Sequence, residues 1–316
     1  MKWRSDPAKI RGSIAPVVSP FTFDGLPDLH GLRALIRWQL ESGSHGISLG
    51  GSTGEPSAQS AQERAAAIRT ATAEIRDRVP FVPGTGSAQL PETLELTAIA
   101  KDAGADAVLI ITPYYARPTQ EGLFNWYSAV AREFPDLPII VYNVPSRTAV
   151  DIAPETIARL RRKYYNIVGV KETTKDFEHF SRVLHVAGTD TLVWSGIELL
   201  CLPLLALGGA GFFSATANLA PAAIARMYQH WEAGELDKAR EIHFGLHPVT
   251  DVIFTETSPA AAKWVLAQAG IIKSGNVRLP LVPLTDAGQR TVRQLLKKGA
   301  PVLDGPVARL AGWAGD

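Results

Sequence analysis

The sequence predicts an α/β chain whose parallel strands close into a (β/α)8 TIM barrel, followed by a C-terminal helical appendage. Three observations carry this expectation. Short apolar runs alternate with segments of helical spacing over the first two-thirds of the chain, and such alternation implies parallel strands. Eight runs fit into about 230 residues, the size of such a barrel. Beyond residue 235 the pattern is helical only, so no further strand is added. A doubly wound open sheet is the competing architecture with the same alternation.

The first strand is read at 13–18 and closes at Ser19-Pro20. Asp28 then opens a helix over 29–42, with Gly43 as its stop. Strand two, 46–49, runs into the turn Gly50-Gly51-Ser52-Thr53-Gly54-Glu55-Pro56. A helix over 61–78 leads to strand three at 80–83, and a helix over 91–103 follows. Strand four, 106–112, ends in Pro113-Tyr114-Tyr115 and precedes a helix over 120–133. Strand five, 138–142, ends in Asn143-Val144-Pro145-Ser146-Arg147-Thr148, with a helix over 154–163. Strand six is the run ending in Lys171, before a helix near 176–187. Strand seven, 191–195, ends at Gly196 and precedes an apolar helix, 199–207; strand eight, 211–215, precedes a helix over 220–233. Helices over 236–254, 258–269 and 285–298 make the appendage. The expected domains are a barrel at 11–234, an appendage at 235–298 and a loosely held tail at 299–316.

With 46% hydrophobic and 20% charged residues, the 316-residue chain has ample core. A net charge of +1 gives no global reason to expect nucleic acid or an anionic membrane as partner. The densest basic run, Arg159-Leu160-Arg161-Arg162-Lys163, falls where a helix should end and cations complement its dipole. Cys201 is the one cysteine and lies in an apolar run, so a buried thiol is expected and an intrachain disulfide is impossible. Residues 1–12 lack the apolar region of a secretory signal, and no apolar segment is long enough to span a bilayer. A cytoplasmic location is the expectation.

In a barrel, functional groups gather where strands end at the C-terminal face. Ser52 and Thr53 follow strand two, Tyr115 follows strand four, and Tyr142 and Arg147 lie at and after strand five. Lys171 ends strand six and Gly196 follows strand seven. Each has a plain alternative: packing for a strand-end tyrosine, a simple turn for Gly-Ser-Thr-Gly, and for Lys171 a snorkelling stem or a pair with Glu172. As a set they are chemically coherent. A lysine ending a strand covered on both faces has a desolvated stem, which disfavours the ammonium form and frees an amine to attack a carbonyl. Tyrosine and serine hydroxyls can pass protons, backbone N–H groups of the turn can hold a carboxylate, and arginine can grip a second one. The set suits imine chemistry on an oxo-acid, with no metal and no cofactor. His243 and His247 are four apart without a third ligand, so they make a poor metal site. Gly208-Gly209-Ala210-Gly211 precedes strand eight, the wrong end for a phosphate loop.

Gly51-Ser52-Thr53-Gly54-Glu55, Thr112-Pro113-Tyr114-Tyr115, Tyr142-Asn143-Val144-Pro145-Ser146-Arg147-Thr148 and Val170-Lys171-Glu172 resemble the dihydrodipicolinate synthase / N-acetylneuraminate lyase family. The segments 211–218 and Arg278-Leu279-Pro280-Leu281-Val282-Pro283-Leu284 resemble its later ones, so the likeness runs from about residue 11 to 298. The resemblance implies a barrel with C-terminal helices, a homotetramer, and a Schiff base between Lys171 and pyruvate. By position it implies Tyr142 as the proton-transfer tyrosine, Ser52 as the hydroxyl relay, and Tyr115 as the tyrosine lent across a subunit interface. Thr53 would hold the pyruvate carboxylate, while Gly196 and Phe213 would line the pocket. The run ending Arg147-Thr148 is similar to the synthase branch, where that arginine holds the carboxylate of the aldehyde partner.

Three positions depart from the family pattern. Ser52 stands where threonine is usual, Pro56 where the synthase has serine, and Ser195-Gly196-Ile197-Glu198 lacks a paired acidic motif. They lie beside the aldehyde end. The resemblance to the synthase branch implies pyruvate with aspartate semialdehyde as substrates, and these departures keep an aldolase or dehydratase of 2-oxo-3-deoxy sugar acids or another 2-oxo acid as the alternative.

Overall fold

The structure, a computed structural model, describes residues 3–312. Seven strands are formed: β1 Gly12–Pro16, β2 Gly46–Ser48, β3 Val108–Ile111, β4 Ile139–Asn143, β5 Ile167–Glu172, β6 Leu192–Ser195 and β7 Gly211–Phe213. The helices up to the last strand are α1 Leu29–Glu41, α2 Ala61–Ile75, α3 Leu90–Ala103, α4 Gln120–Glu133, α5 Pro145–Thr148, α6 Pro154–Lys163, α7 Phe177–Ala187 and α8 Cys201–Ala206. After it come α9 Pro221–Glu232, α10 Leu236–Gly245, α11 His247–Ile253, α12 Ala260–Gln268, α13 Asp286–Gly299 and α14 Gly305–Ala308. No helix among the described residues is long and apolar enough to cross a membrane.

The chain divides into two compact units, one of residues 1–12 with 80–213 and the other of 13–79 with 214–316. In the first, five parallel strands lie in the order β7-β6-β5-β4-β3. Sequence neighbours are spatial neighbours throughout, without the reversal of direction that defines a doubly wound sheet. β4, β5 and β6 are buried along their whole length, as strands covered on both faces must be. Gly169 makes room inside this sheet: a Cβ there would overlap the carbonyl oxygen of Leu192 on β6. The basic run closes α6, where Arg161 donates to Ile167 O at 2.8 Å and pairs with Asp190 at 2.8 Å.

The expected strand at 80–83 does not form as a strand. Pro80 and Pro83 carry no N–H to donate to a ladder. Alongside β3 there remain a single parallel bridge, Gly84 to Leu109, and bonds from Leu109 N to Pro83 O and Asp106 N to Phe81 O.

In the second unit, β1 pairs in parallel with β2 through Ile14–Gly46, Ala15–Ile47 and Pro16–Ser48. Its α2 begins with a capping box in which Ser60 and Glu63 satisfy each other's backbone N–H. The helices expected after residue 235 are present, but the stretch read as one helix over 236–254 is two, α10 and α11, with Pro248 in the first turn of the second. Residues 300–312, expected to be loosely held, instead form short helical turns that bury Val302, Leu303, Val307 and Leu310.

Candidate active site

The last residues of β4 and β5 are register partners: Tyr142 lies opposite Lys171, and Asn143 opposite Glu172. Side chains alternate along a strand, so Tyr142 and Lys171 share one face while Asn143 and Glu172 share the other. Lys171 is 5% exposed and Tyr142 3% exposed. The lysine Nζ lies 4.1 Å from the centroid of the Tyr142 ring and 5.1 Å from that of Phe213 at the end of β7. Phe213 is braced edge-on by Trp194, the β6 register partner of Lys171. Among the described residues Lys171 forms no ion pair. Its stem is thus sheathed in aromatic and apolar surface, and its nitrogen is not tied to a carboxylate.

Gly196 follows β6 and donates its N–H to Glu172 O at 2.7 Å. A Cβ at this position would run into Thr173 Cγ2 and Lys171 Cε. Glycine is therefore needed to leave the lysine stem its path. Next to it Cys201 is buried, with Sγ directed at Ile197 O, and burial pushes its thiol well above the ordinary value. That matches the inert structural thiol expected from its surroundings.

Arg147 sits on the exposed side of α5, the short helix that follows Tyr142-Asn143. The turn is held beneath it by Thr148 Oγ1, which bonds to Val144 O and Val150 O. Among the described residues the Arg147 guanidinium forms no ion pair, so it is not spent on stiffening its own loop. Tyr115 is 95% exposed and held at φ 75, a left-handed conformation uncommon for a tyrosine.

Ser52 and Thr53 belong to the other unit, in a single helical turn, Ser52–Gly54, after β2. The turn is tied down through Gly54 O, which accepts from Ser19 Oγ at 2.7 Å and Gln59 Nε2 at 2.5 Å. It ends on Glu55, at φ 52, whose carboxylate meets Lys263 Nζ at 2.7 Å and the Arg278 N–H at 2.9 Å. Arg278 in turn pairs with Glu63, whose carboxyl is held down to about 2 mainly by that bond. The Phe21 ring packs against both cations, its centroid 4.0 Å from Lys263 Nζ and 4.4 Å from the Arg278 guanidinium carbon. His243 and His247 stand edge to face across the α10–α11 break, and among the described residues no three metal-binding side chains gather.

Four of the expected site residues thus lie close together at neighbouring strand ends: Lys171, Tyr142, Phe213 and Gly196. The profile of the "Dihydrodipicolinate synthetase family" matches residues 9–299.

The chain belongs to that family.

It is 43% identical over 288 residues to the 4-hydroxy-tetrahydrodipicolinate synthase of Thermus thermophilus, covering 91% of this chain and 96% of the relative. It is 41% identical over 292 residues to the synthase of Methanopyrus kandleri, covering 92% and 95%. Among solved structures it is similar to the dihydrodipicolinate synthase of Thermotoga maritima, with TM-score 0.88, 35% identity and coverage of 92% and 99%. It is equally similar in shape to the chloride-inhibited enzyme of Acinetobacter baumannii complexed with pyruvate: TM-score 0.88, 37% identity, coverage 93% and 100%.

The sequence reading missed Asn143 as a structural partner and His179 altogether, and it offered Glu172 only as a counter-ion for Lys171. The structure turns Glu172 away from the lysine. Both Glu172 oxygens accept from Asn143 Nδ2 at 3.0 Å, and Oε1 also accepts the N–H groups of Thr173 and Thr174 at 2.9 Å. The signal was available in the period of two, since the residue after a strand-end functional group faces the opposite side.

Proposed function

We propose that this family member is a pyruvate-dependent, Schiff-base-forming carbon–carbon lyase of the 4-hydroxy-tetrahydrodipicolinate synthase type, condensing pyruvate with aspartate semialdehyde. The observation that carries the reading is Lys171: nearly buried, without a carboxylate partner among the described residues, and packed against Tyr142 at the neighbouring strand end. Its amine attacks the pyruvate carbonyl, water leaves, and an imine forms. Loss of a C3 proton gives an enamine, whose C3 bonds to the aldehyde carbon while the aldehyde oxygen takes up a proton. Tyr142 is the proton carrier and Ser52 the hydroxyl relay. Thr53 holds the pyruvate carboxylate, and Phe213 and Gly196 shape the space around the lysine.

Arg147 is the residue that favours a carboxylated aldehyde. It is exposed, lies on the short helix that follows the strand end of Tyr142, and is not neutralised by an ion pair among the described residues. The one-directional strand order of the first unit supports a closed barrel at 11–234, with the helices of 235–298 as its appendage. Tyr115, held out at positive φ, suits a residue lent to another subunit of a homotetramer. Cytoplasmic activity fits a single buried thiol with no disulfide partner.

Borohydride reduction in the presence of pyruvate tests the central step. The reading requires a covalent mass increase on the peptide containing Lys171, and consumption of aspartate semialdehyde by the untreated protein. Trapping with turnover only of sugar-derived aldehydes would transfer the chain to the aldolase alternative.

A further inference from the structure

We propose that Asn143, Glu172 and His179 are positioning residues for the Lys171–Tyr142 pair: a charged clamp on the reverse face of the two strand ends, complete only while His179 is protonated. The proposal rests on the reading of Lys171 as the imine-forming amine.

The clamp follows from alternation. One residue beyond Tyr142 and Lys171, Asn143 and Glu172 meet on the opposite face as register partners. Glu172 is fully buried. A buried carboxylate is tolerated only when donors and a counter-charge surround it. Asn143 supplies one amide hydrogen shared between both Glu172 oxygens, and its other hydrogen goes to Asp151 Oδ1 at 2.7 Å. The amide oxygen is used as well, by Ile152 N at 3.3 Å. The backbone repeats the tie, because Asn143 O accepts from Thr173 N at 3.0 Å and from Thr173 Oγ1 at 2.5 Å. The two strand ends are therefore locked together immediately after the pair that does the chemistry.

Two carboxylates, Glu172 and Asp151, now share one neutral amide. The balancing cation comes from α7: His179 Nε2 lies 3.1 Å from Glu172 Oε2. The approach is off the line of a hydrogen bond, so the attraction is chiefly Coulombic. Among the described residues it is the one cationic group in ion-pair contact with Glu172. The charged groups facing His179 are Glu172 on β5, Asp151 on the segment after α5, and Asp176 at the cap of α7 itself. Burial, the largest single influence, lowers the imidazole, but the attraction of Glu172, Asp151 and Asp176 together outweighs it and leaves it raised above 6.5. A raised value means that the clamp is complete below the ordinary imidazole range and is released as pH rises through the folded value.

The test compares wild type with His179→Arg and His179→Gln from about pH 5.5 to about pH 9, a span that brackets imidazole titration. Turnover with pyruvate and aspartate semialdehyde, thermal midpoint and pyruvate trapping by borohydride are measured on each. Wild type is expected to lose kcat on the alkaline side by about tenfold, in line with small misplacements at a reacting centre, while KM for pyruvate changes little. His179→Arg keeps its charge and should abolish that part of the decline. His179→Gln should have low kcat even at the acid end and a flatter profile. Superimposable profiles for wild type and His179→Arg, with trapping intact in both, would overturn the clamp while leaving the Schiff-base reading in place. Failure of wild type to trap pyruvate at Lys171 would overturn both. If His179→Gln does not fold, the comparison of wild type with His179→Arg decides the matter.

Discussion

Lys171 and Tyr142 face each other across adjacent parallel strands, with the lysine nitrogen 4.1 Å from the centre of the tyrosine ring. The arrangement gives the side chain an apolar sleeve, and its nitrogen forms no ion pair among the described residues. Replacing Lys171 by alanine or arginine is expected to abolish borohydride trapping of pyruvate, since an arginine stays protonated and cannot act as the nucleophile. Far-UV circular dichroism should remain that of wild type for the alanine variant, and residual trapping would remove Lys171 from the mechanism.

Tyr142→Phe keeps the ring that packs on Lys171 and removes only the hydroxyl. A general acid–base group contributes roughly 10²–10⁴-fold. Turnover should fall by about that factor while pyruvate affinity, followed by trapping at increasing pyruvate, stays close to wild type. Unchanged turnover would show that another group carries the proton.

Gly196→Ala adds one methyl where Thr173 Cγ2 and Lys171 Cε already stand. The lysine stem must shift, so imine formation should slow by about tenfold or more in single-turnover trapping. A normal rate would mean that the stem has room to move aside.

Arg147→Ala discriminates between substrate classes. A hydrogen bond to a charged group contributes about 1.5–3 kcal/mol, so kcat/KM for aspartate semialdehyde should fall by about ten- to a hundredfold. Pyruvate trapping and turnover of a neutral aldehyde should change little. Equal losses with both aldehydes would favour a sugar-acid aldolase or dehydratase.

Glu55→Gln leaves the fully buried Lys263 ammonium without its counter-charge. Burial pushes that ammonium down to about 8 against the pull of Glu55. Below about pH 8 the lysine is charged, its burial is costly, and the ion pair offsets that cost; above it the folded lysine is neutral and the pair is lost. A folded value of about 8 limits the charge-dependent deficit of the variant to about 1–2 kcal/mol at pH 7, and that deficit should fade as pH rises through about 8. Denaturant melts on both sides of that value measure it, and a deficit independent of pH would remove the charge from the explanation.

The sequence by itself determined the alternation of strands and helices, the family motifs, and the placing of Lys171 and Tyr142 at strand ends. These are local matters: apolar period, caps and turn residues are written within a few positions of one another. It misjudged 80–83, where an apolar run looked like a strand but two prolines withhold the donors that a ladder needs. Only the tertiary structure decided the partners. Glu172 follows Lys171 in the chain yet serves Asn143 and His179, because a period of two turns it to the reverse face. Glu55 meets Lys263 across 208 positions, and Arg147 forms no ion pair among the described residues. Pairings of this kind depend on strand register and helix packing, which bring distant residues within a few ångströms. No periodicity in one stretch of chain specifies what another stretch will place beside it.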